Sequence, residues 1–122
     1  VGDNDGINRF SWSVLRMVAI ARIKEFVDQI ALQFEPQQVI LFGSHASGRA
    51  DSDSDVDLLV VLQHSDKNWR TAARIRTAIP APFPLDLLVR QPDEMNRRLI
   101  AGDVLLKEIS ETGRILYESL HA

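Results

Sequence analysis

Between Asp55 and Leu62 the chain reads Asp-Val-Asp-Leu-Leu-Val-Val-Leu, and this run constrains the fold more than any other. Its β-branched and aliphatic content predicts a strand, the most hydrophobic one in the chain. In a strand, successive side chains alternate faces, so Asp55 and Asp57 share one face while Val56 and Leu58 enter the opposite layer. Two carboxylates at the start of an apolar strand are costly unless a positive group lies between them. Magnesium meets that need, because it takes oxygen ligands from one or two carboxylates and completes its shell with substrate phosphates. The other reading is a solvated strand entrance that happens to carry Asp. For Asp51 and Asp53, which precede the strand, that reading is preferred, because loops run over the surface.

The neighbouring segments supply the rest of a domain. Val14 to Phe34 predicts an amphipathic helix, with Ile20, Ile23, Val27, Ile30, Ala31 and Phe34 repeating at three- and four-residue spacing. Ser11 or Ser13 is placed to cap it and Pro36 to end it. Gln38 to Phe42 predicts a buried strand ending at Gly43, and Gly43 to Ser54 a loop with room for one helical turn. Asp66 to Ile79 predicts a second helix, with Ala72, Ile75 and Ile79 inward and Trp69 partly buried. Pro80, Pro82 and Pro84 forbid a helix and deliver an extended chain into a third strand, Leu85 to Arg90. Pro92, followed by Asp93 and Glu94, opens a C-terminal helical part that Gly102 divides and Gly113 ends. Arg114 to Glu118 is a short last strand. This order implies an α+β domain, a small mixed sheet packed by helices.

At 122 residues there is room for one core. Residues 10–122 are assigned to that domain. Residues 1–9 are expected to lack fixed structure, since Val1 in place of methionine suggests a processed or artificial start. Val1 to Phe10 has no apolar stretch like that of a signal peptide. No uninterrupted apolar run is long enough to span a bilayer. With no cysteine, disulfides and thiolate metal sites are excluded. The expectation is a cytoplasmic protein with no membrane partner. A net charge of −3 argues against direct nucleic-acid binding.

Two further features stand beside the acidic strand. A strand ending in Gly43-Ser44 lets the backbone approach a ligand without an intervening Cβ. The free N–H groups of a following helical turn favour phosphate, with the Ser44 hydroxyl as an added donor. Alone, such a turn is usually only a turn. Asp86, in Leu85-Asp86-Leu87-Leu88-Val89, is by itself as readily an edge carboxylate facing solvent. Beside Asp55 and Asp57 it would complete a three-carboxylate site able to hold metal and orient or deprotonate a hydroxyl. His64 and His121 have no partner at metal-ligand spacing and are expected to be exposed.

Gly43-Ser44, Gly48 and Ser54-Asp55-Val56-Asp57-Leu58, with Asp86 about thirty residues on, resemble the signature of the DNA polymerase β-type nucleotidyltransferase superfamily. The wording points more narrowly to the minimal nucleotidyltransferases, or MNT proteins, and the resemblance runs from the first helix to Tyr117. It implies a nucleoside triphosphate donor such as ATP, Mg2+, and attack on the α-phosphate with loss of pyrophosphate. MNT proteins are often antitoxins paired with HEPN-domain toxins, and some adenylylate a tyrosine of the partner. By position, Asp55, Asp57 and Asp86 become catalytic metal ligands, and Gly43 with Ser44 the triphosphate cradle. Arg49 becomes a phosphate contact, though a surface arginine is as good a reading. His45 departs from the arginine or aromatic residue usual at its place and is expected to face solvent. The rivals are transfer to a small-molecule acceptor, as in aminoglycoside nucleotidyltransferases, and a non-catalytic antitoxin acting by occlusion. A homo- or hetero-oligomer is compatible with any of these.

Overall fold

The structure, a computed structural model, describes residues 20–51 and 53–120. The predicted helix start before residue 20, its Ser11 or Ser13 cap, residues 1–9 and His121 lie outside them. The order is α1 (20–34), β1 (Gln38–Phe42), α2 (Ser44–Ser47), β2 (Val56–Val61), α3 (Asn68–Ala78), β3 (Leu85–Arg90), α4 (Pro92–Ile100), α5 (Val104–Thr112) and β4 (Arg114–Glu118). The strands form one mixed sheet in the order β3-β2-β1-β4, parallel only between β2 and β3. The short β1–α2–β2 connection makes that pair antiparallel, whereas β2 reaches β3 through a full helix and so can run parallel to it.

Alternation along β2 divides the core in two. Val56, Leu58 and Val60 pack with α1 (Ile23, Phe26, Val27, Ile30) and α3 (Ala72, Ile75) on one face. Leu59 and Val61 pack with Met95 of α4 and Leu106 and Ile109 of α5 on the other. Leu58, Leu59 and Val60 are all 0% exposed, so β2 is covered on both faces. That explains its near-continuous apolar sequence. The predicted strand over Asp55–Leu62 is assigned as Val56–Val61, but its ladder to β3 still runs from Val56 N–H (to Pro84 O, 2.9 Å) to Leu62 N–H (to Arg90 O, 2.9 Å).

Both sheet edges are protected from further pairing. Since β3 bonds to β2 through the Pro84 and Arg90 carbonyls, its alternate carbonyls at Leu85 and Val89 face outward. Arg76 donates to Leu85 O (2.6 Å) and Arg90 to Val89 O (2.8 Å). On β4 the register shifts opposite Val39/Ile40, leaving Leu116 between the paired Ile115 and Tyr117, and Lys24 of α1 donates to Leu116 O at 2.6 Å. A bulge and basic side chains on edges are established devices against edge-to-edge association.

Two expectations are corrected. Trp69 is 65% exposed, because the buried face of α3 is Thr71, Ala72 and Ile75 and Trp69 lies on its flank; Arg70 stacks over its ring at 5.2 Å. His64 is partly buried and bonded rather than exposed. Its Nδ1 accepts from Asp66 N–H (3.1 Å), and its Nε2 lies 2.8 Å from Asn68 Oδ1. Asn68 then donates to Glu94 Oε1 (2.8 Å), and Arg98 to Glu94 Oε2 (3.0 Å). This chain of bonds ties the exit of β2 to α3 and α4, at the end of β2 remote from Asp57.

Candidate active site

Strand register brings the acids together. Asp57 pairs with Asp86 across the parallel β2–β3 ladder and with Phe42 across the antiparallel β1–β2 ladder, forming one row over three strands. All three lie on the face that α4 and α5 cover further along at Leu59 and Val61. At this end the helices no longer cover the sheet: Asp86 is exposed and Asp57 half-buried. Asp55 is exposed and precedes the first assigned residue of β2.

The Gly43 turn presses directly on this row. Gly43 has φ +72° and ψ −152°, a combination essentially confined to glycine. A Cβ at this position would collide with Asp57 Oδ2 and lie 3.1 Å from Asp57 Cγ. Glycine is thus required both by the backbone conformation and by the carboxylate that fills the space. Ser47 N–H makes the first bond of α2, to Gly43 O at 3.2 Å. The amides of Ser44, His45 and Ala46 therefore have no acceptor inside the turn. Gly48, in the left-handed region at φ +76°, closes the turn with its N–H on Ser44 O, and exposed Arg49 follows.

The loop between turn and strand is organised by its own acids and serines. Asp51 Oδ1 accepts from Asp53 N–H (2.9 Å) and from the Ser54 hydroxyl (3.1 Å), while Asp51 N–H donates to Ser54 Oγ (3.0 Å). Asp51 thus holds the loop together. His45, expected to face solvent, is intermediate in exposure and bonded: its Nδ1 lies 3.1 Å from Asp55 O. Neither this bond nor the place of Phe42 beside Asp57 had a sequence signal, since each depends on how separate segments align.

Electrostatics single out Asp57. Partial burial, then the nearby Asp86 and Asp55 charges, push its carboxyl above the usual carboxylate range, and His45 works in the opposite direction. Among the described residues no ion pair reaches Asp55, Asp57 or Asp86. No three carboxylate or imidazole side chains among them gather into a ready-made metal cage. The donor set nevertheless fits a hard divalent cation. Asp57 and Asp86 are adjacent in register, and one or two carboxylates are what magnesium uses when phosphates and water complete its shell.

Comparison with known proteins agrees with this architecture. The nucleotidyltransferase domain family matches residues 20–117. No curated protein matches the sequence. Among solved structures, the chain is similar to a protein of Sulfolobus solfataricus assigned as a nucleotidyltransferase, with a TM-score of 0.61 and 20% identity over 84% of this chain and 83% of that one. It is also similar to a toxin–antitoxin solved with AMP-PNP (TM-score 0.54, 19% identity, 80% of this chain and 75% of that one). A third is a variant of the toxin–antitoxin MntA–HpeT with two aspartate-to-glutamate changes (TM-score 0.51, 16% identity, 80% and 75%). No helix among the described residues is long and apolar enough to cross a membrane. With its mixed four-stranded sheet and a family match spanning nearly all the described residues, the chain belongs to the nucleotidyltransferase domain family.

Proposed function

We propose that this chain transfers AMP from ATP, with Mg2+, to a hydroxyl of a protein partner, a tyrosine of a HEPN-type toxin, and thereby acts as its antitoxin. The observation that carries the reading is the row of Asp57 and Asp86 in direct register, pressed by the Gly43 turn at the uncovered end of the sheet. The similarity to two toxin–antitoxin structures, one with AMP-PNP, favours the donor and the kind of partner. The two changed aspartates of the MntA–HpeT variant stand two positions apart, the spacing of Asp55 and Asp57.

In this reading Asp55, Asp57 and Asp86 hold the cation, which when bound neutralises triphosphate charge at the reacting phosphate. The amides after Gly43 and the Ser44 hydroxyl receive phosphate oxygens, with Arg49 beside them. Asp86, the most open of the row, orients the acceptor hydroxyl and takes its proton. The acceptor oxygen bonds to the α-phosphorus as the bond to pyrophosphate breaks, and pyrophosphate leaves. A half-open sheet end offers little wall around a substrate, so the partner itself completes the pocket. The test incubates the protein with labelled ATP, magnesium and the protein encoded beside it, next to an Asp55→Ala/Asp57→Ala variant. Label on the partner that disappears with the variant supports the reading. Equal neutralisation by both proteins without label refutes it in favour of occlusion.

A further inference from the structure

The peptide unit joining Asp55 to Val56 is held at both ends by segments that are distant in sequence. Its carbonyl meets His45 Nδ1 of α2 at 3.1 Å, across ten residues. Its N–H donates to Pro84 O at 2.9 Å, two residues before Asp86. One peptide group therefore connects the Gly43–Ser44 turn, the Asp55–Asp57 segment and the start of β3. Of these two bonds, the one from His45 comes from a side chain. A carbonyl oxygen cannot donate, so the proton of this bond resides on Nδ1, and in the neutral ring Nε2 carries the lone pair.

We infer that His45 is a positioning residue of this site: its Nδ1–H bond to Asp55 O fixes the phosphate-facing turn against the acidic strand. The inference rests on the nucleotidyltransferase reading above for what is positioned, and on geometry alone for the bond. His45 touches neither the reacting phosphate nor the acceptor in this account. Its removal loosens the alignment of the Ser44 amide and hydroxyl with the Asp55 carboxylate, two groups that must act on one ligand. The loss therefore falls on nucleotide affinity and on the magnesium concentration needed for half-saturation, more than on the rate of the saturated protein. A net hydrogen bond of ordinary strength corresponds to about a two- to tenfold loss.

Two measurements test this. First, long-range proton–nitrogen NMR correlations of the imidazole, on the nucleotide-free protein at mildly alkaline pH, report which ring nitrogen is protonated. A proton on Nδ1 is expected, and a neutral ring protonated only on Nε2 overturns the inference whether or not the chain binds nucleotide. Second, calorimetric titration with ATP and magnesium compares the parent with His45→Asn, His45→Phe and His45→Ala, with melting curves to establish that each is folded. Asparagine keeps a donor at similar reach and should bind near the parent level. Phenylalanine and alanine should each lose about two- to tenfold in affinity. Parent-like binding by the folded phenylalanine or alanine variant overturns the role, as does an asparagine variant no better than alanine. Failure of the parent itself to bind ATP counts against the proposed function, and the tautomer then decides the bond by itself.

Discussion

Gly43→Ala tests the construction of the site most sharply, because two separable costs arise at one atom. The first is conformational: φ +72° with ψ −152° lies in a region essentially reserved for glycine, so alanine costs about 1–3 kcal/mol there. The second is the collision of the new Cβ with Asp57 Oδ2, which forces that carboxylate off its rotamer for about 0.5–1.5 kcal/mol. Together they amount to roughly 2–4 kcal/mol, or a Tm lower by about 8–16 °C for a domain of this size. Asp57→Ala separates the two. With the carboxylate gone, the nearest remaining atom is Asp57 Cβ at 3.4 Å, an ordinary contact, so only the conformational cost remains. Urea denaturation of the parent, both single variants and the double variant should yield a coupling of about 0.5–1.5 kcal/mol, above the ~0.3–0.5 kcal/mol scatter of independent sites. Additive effects, or a Gly43→Ala protein as stable as the parent, would refute the claim that the turn is built against the carboxylate.

Three other perturbations have definite signs. Asp57 binds its proton more tightly folded than unfolded, so it lowers stability as pH rises from the ordinary carboxylate range through its raised value. Asp57→Asn and Asp86→Asn should each raise stability at neutral pH by about 0.2–1 kcal/mol, the cost of like charges on adjacent strands, while eliminating transfer. For Asp57→Asn, calorimetry should show the gain disappearing in acid. Glu94 behaves oppositely: burial would raise its pKa, but bonds from Asn68 and the Gln91 backbone, with the Arg90 and Arg98 charges, hold it lower. Its stabilisation is present above the ordinary glutamate range and is lost as pH falls through the lowered value, so Glu94→Ala should cost about 1–3 kcal/mol at neutral pH and less in acid, as read by urea melts at both. Lys24→Ala and Arg76→Ala uncover the Leu116 and Leu85 edge carbonyls, and sedimentation should show more self-association than in the parent.

Much of this architecture is legible in the sequence, for identifiable reasons. The prolines at 80, 82 and 84, the apolar run of β2, and Pro92 with Gly102 and Gly113 act locally, so the order of the elements from β1 to β4 could be read directly. The β3 boundaries, Leu85–Arg90, agree residue for residue. What could not be read was register. That Asp57 stands beside Asp86 and Phe42, rather than one position away, depends on how strands slide against each other, and a one-residue slip inverts every face. His45 and His64 were misread for different reasons. The Asp55 carbonyl reaches His45 only when the turn after β1 folds against the start of β2, whereas His64 bonds to Asp66 and Asn68, two and four residues on, where the chain turns into α3. Trp69 was misread because helical periodicity locates a buried face less sharply than its edge, and a large apolar residue on the flank looked interior.

If the acidic row serves nucleotidyl transfer, the phosphorus that reaches the partner is the α-phosphorus of ATP. The protein and its neighbouring partner, with magnesium, would be supplied in parallel with ATP labelled at the α-phosphate and at the γ-phosphate. Label is expected on the partner from the α position only, with pyrophosphate released in equal amount and no label with Asp57→Asn or Asp86→Asn. Label from the γ position, or α label undiminished in both variants, would contradict it.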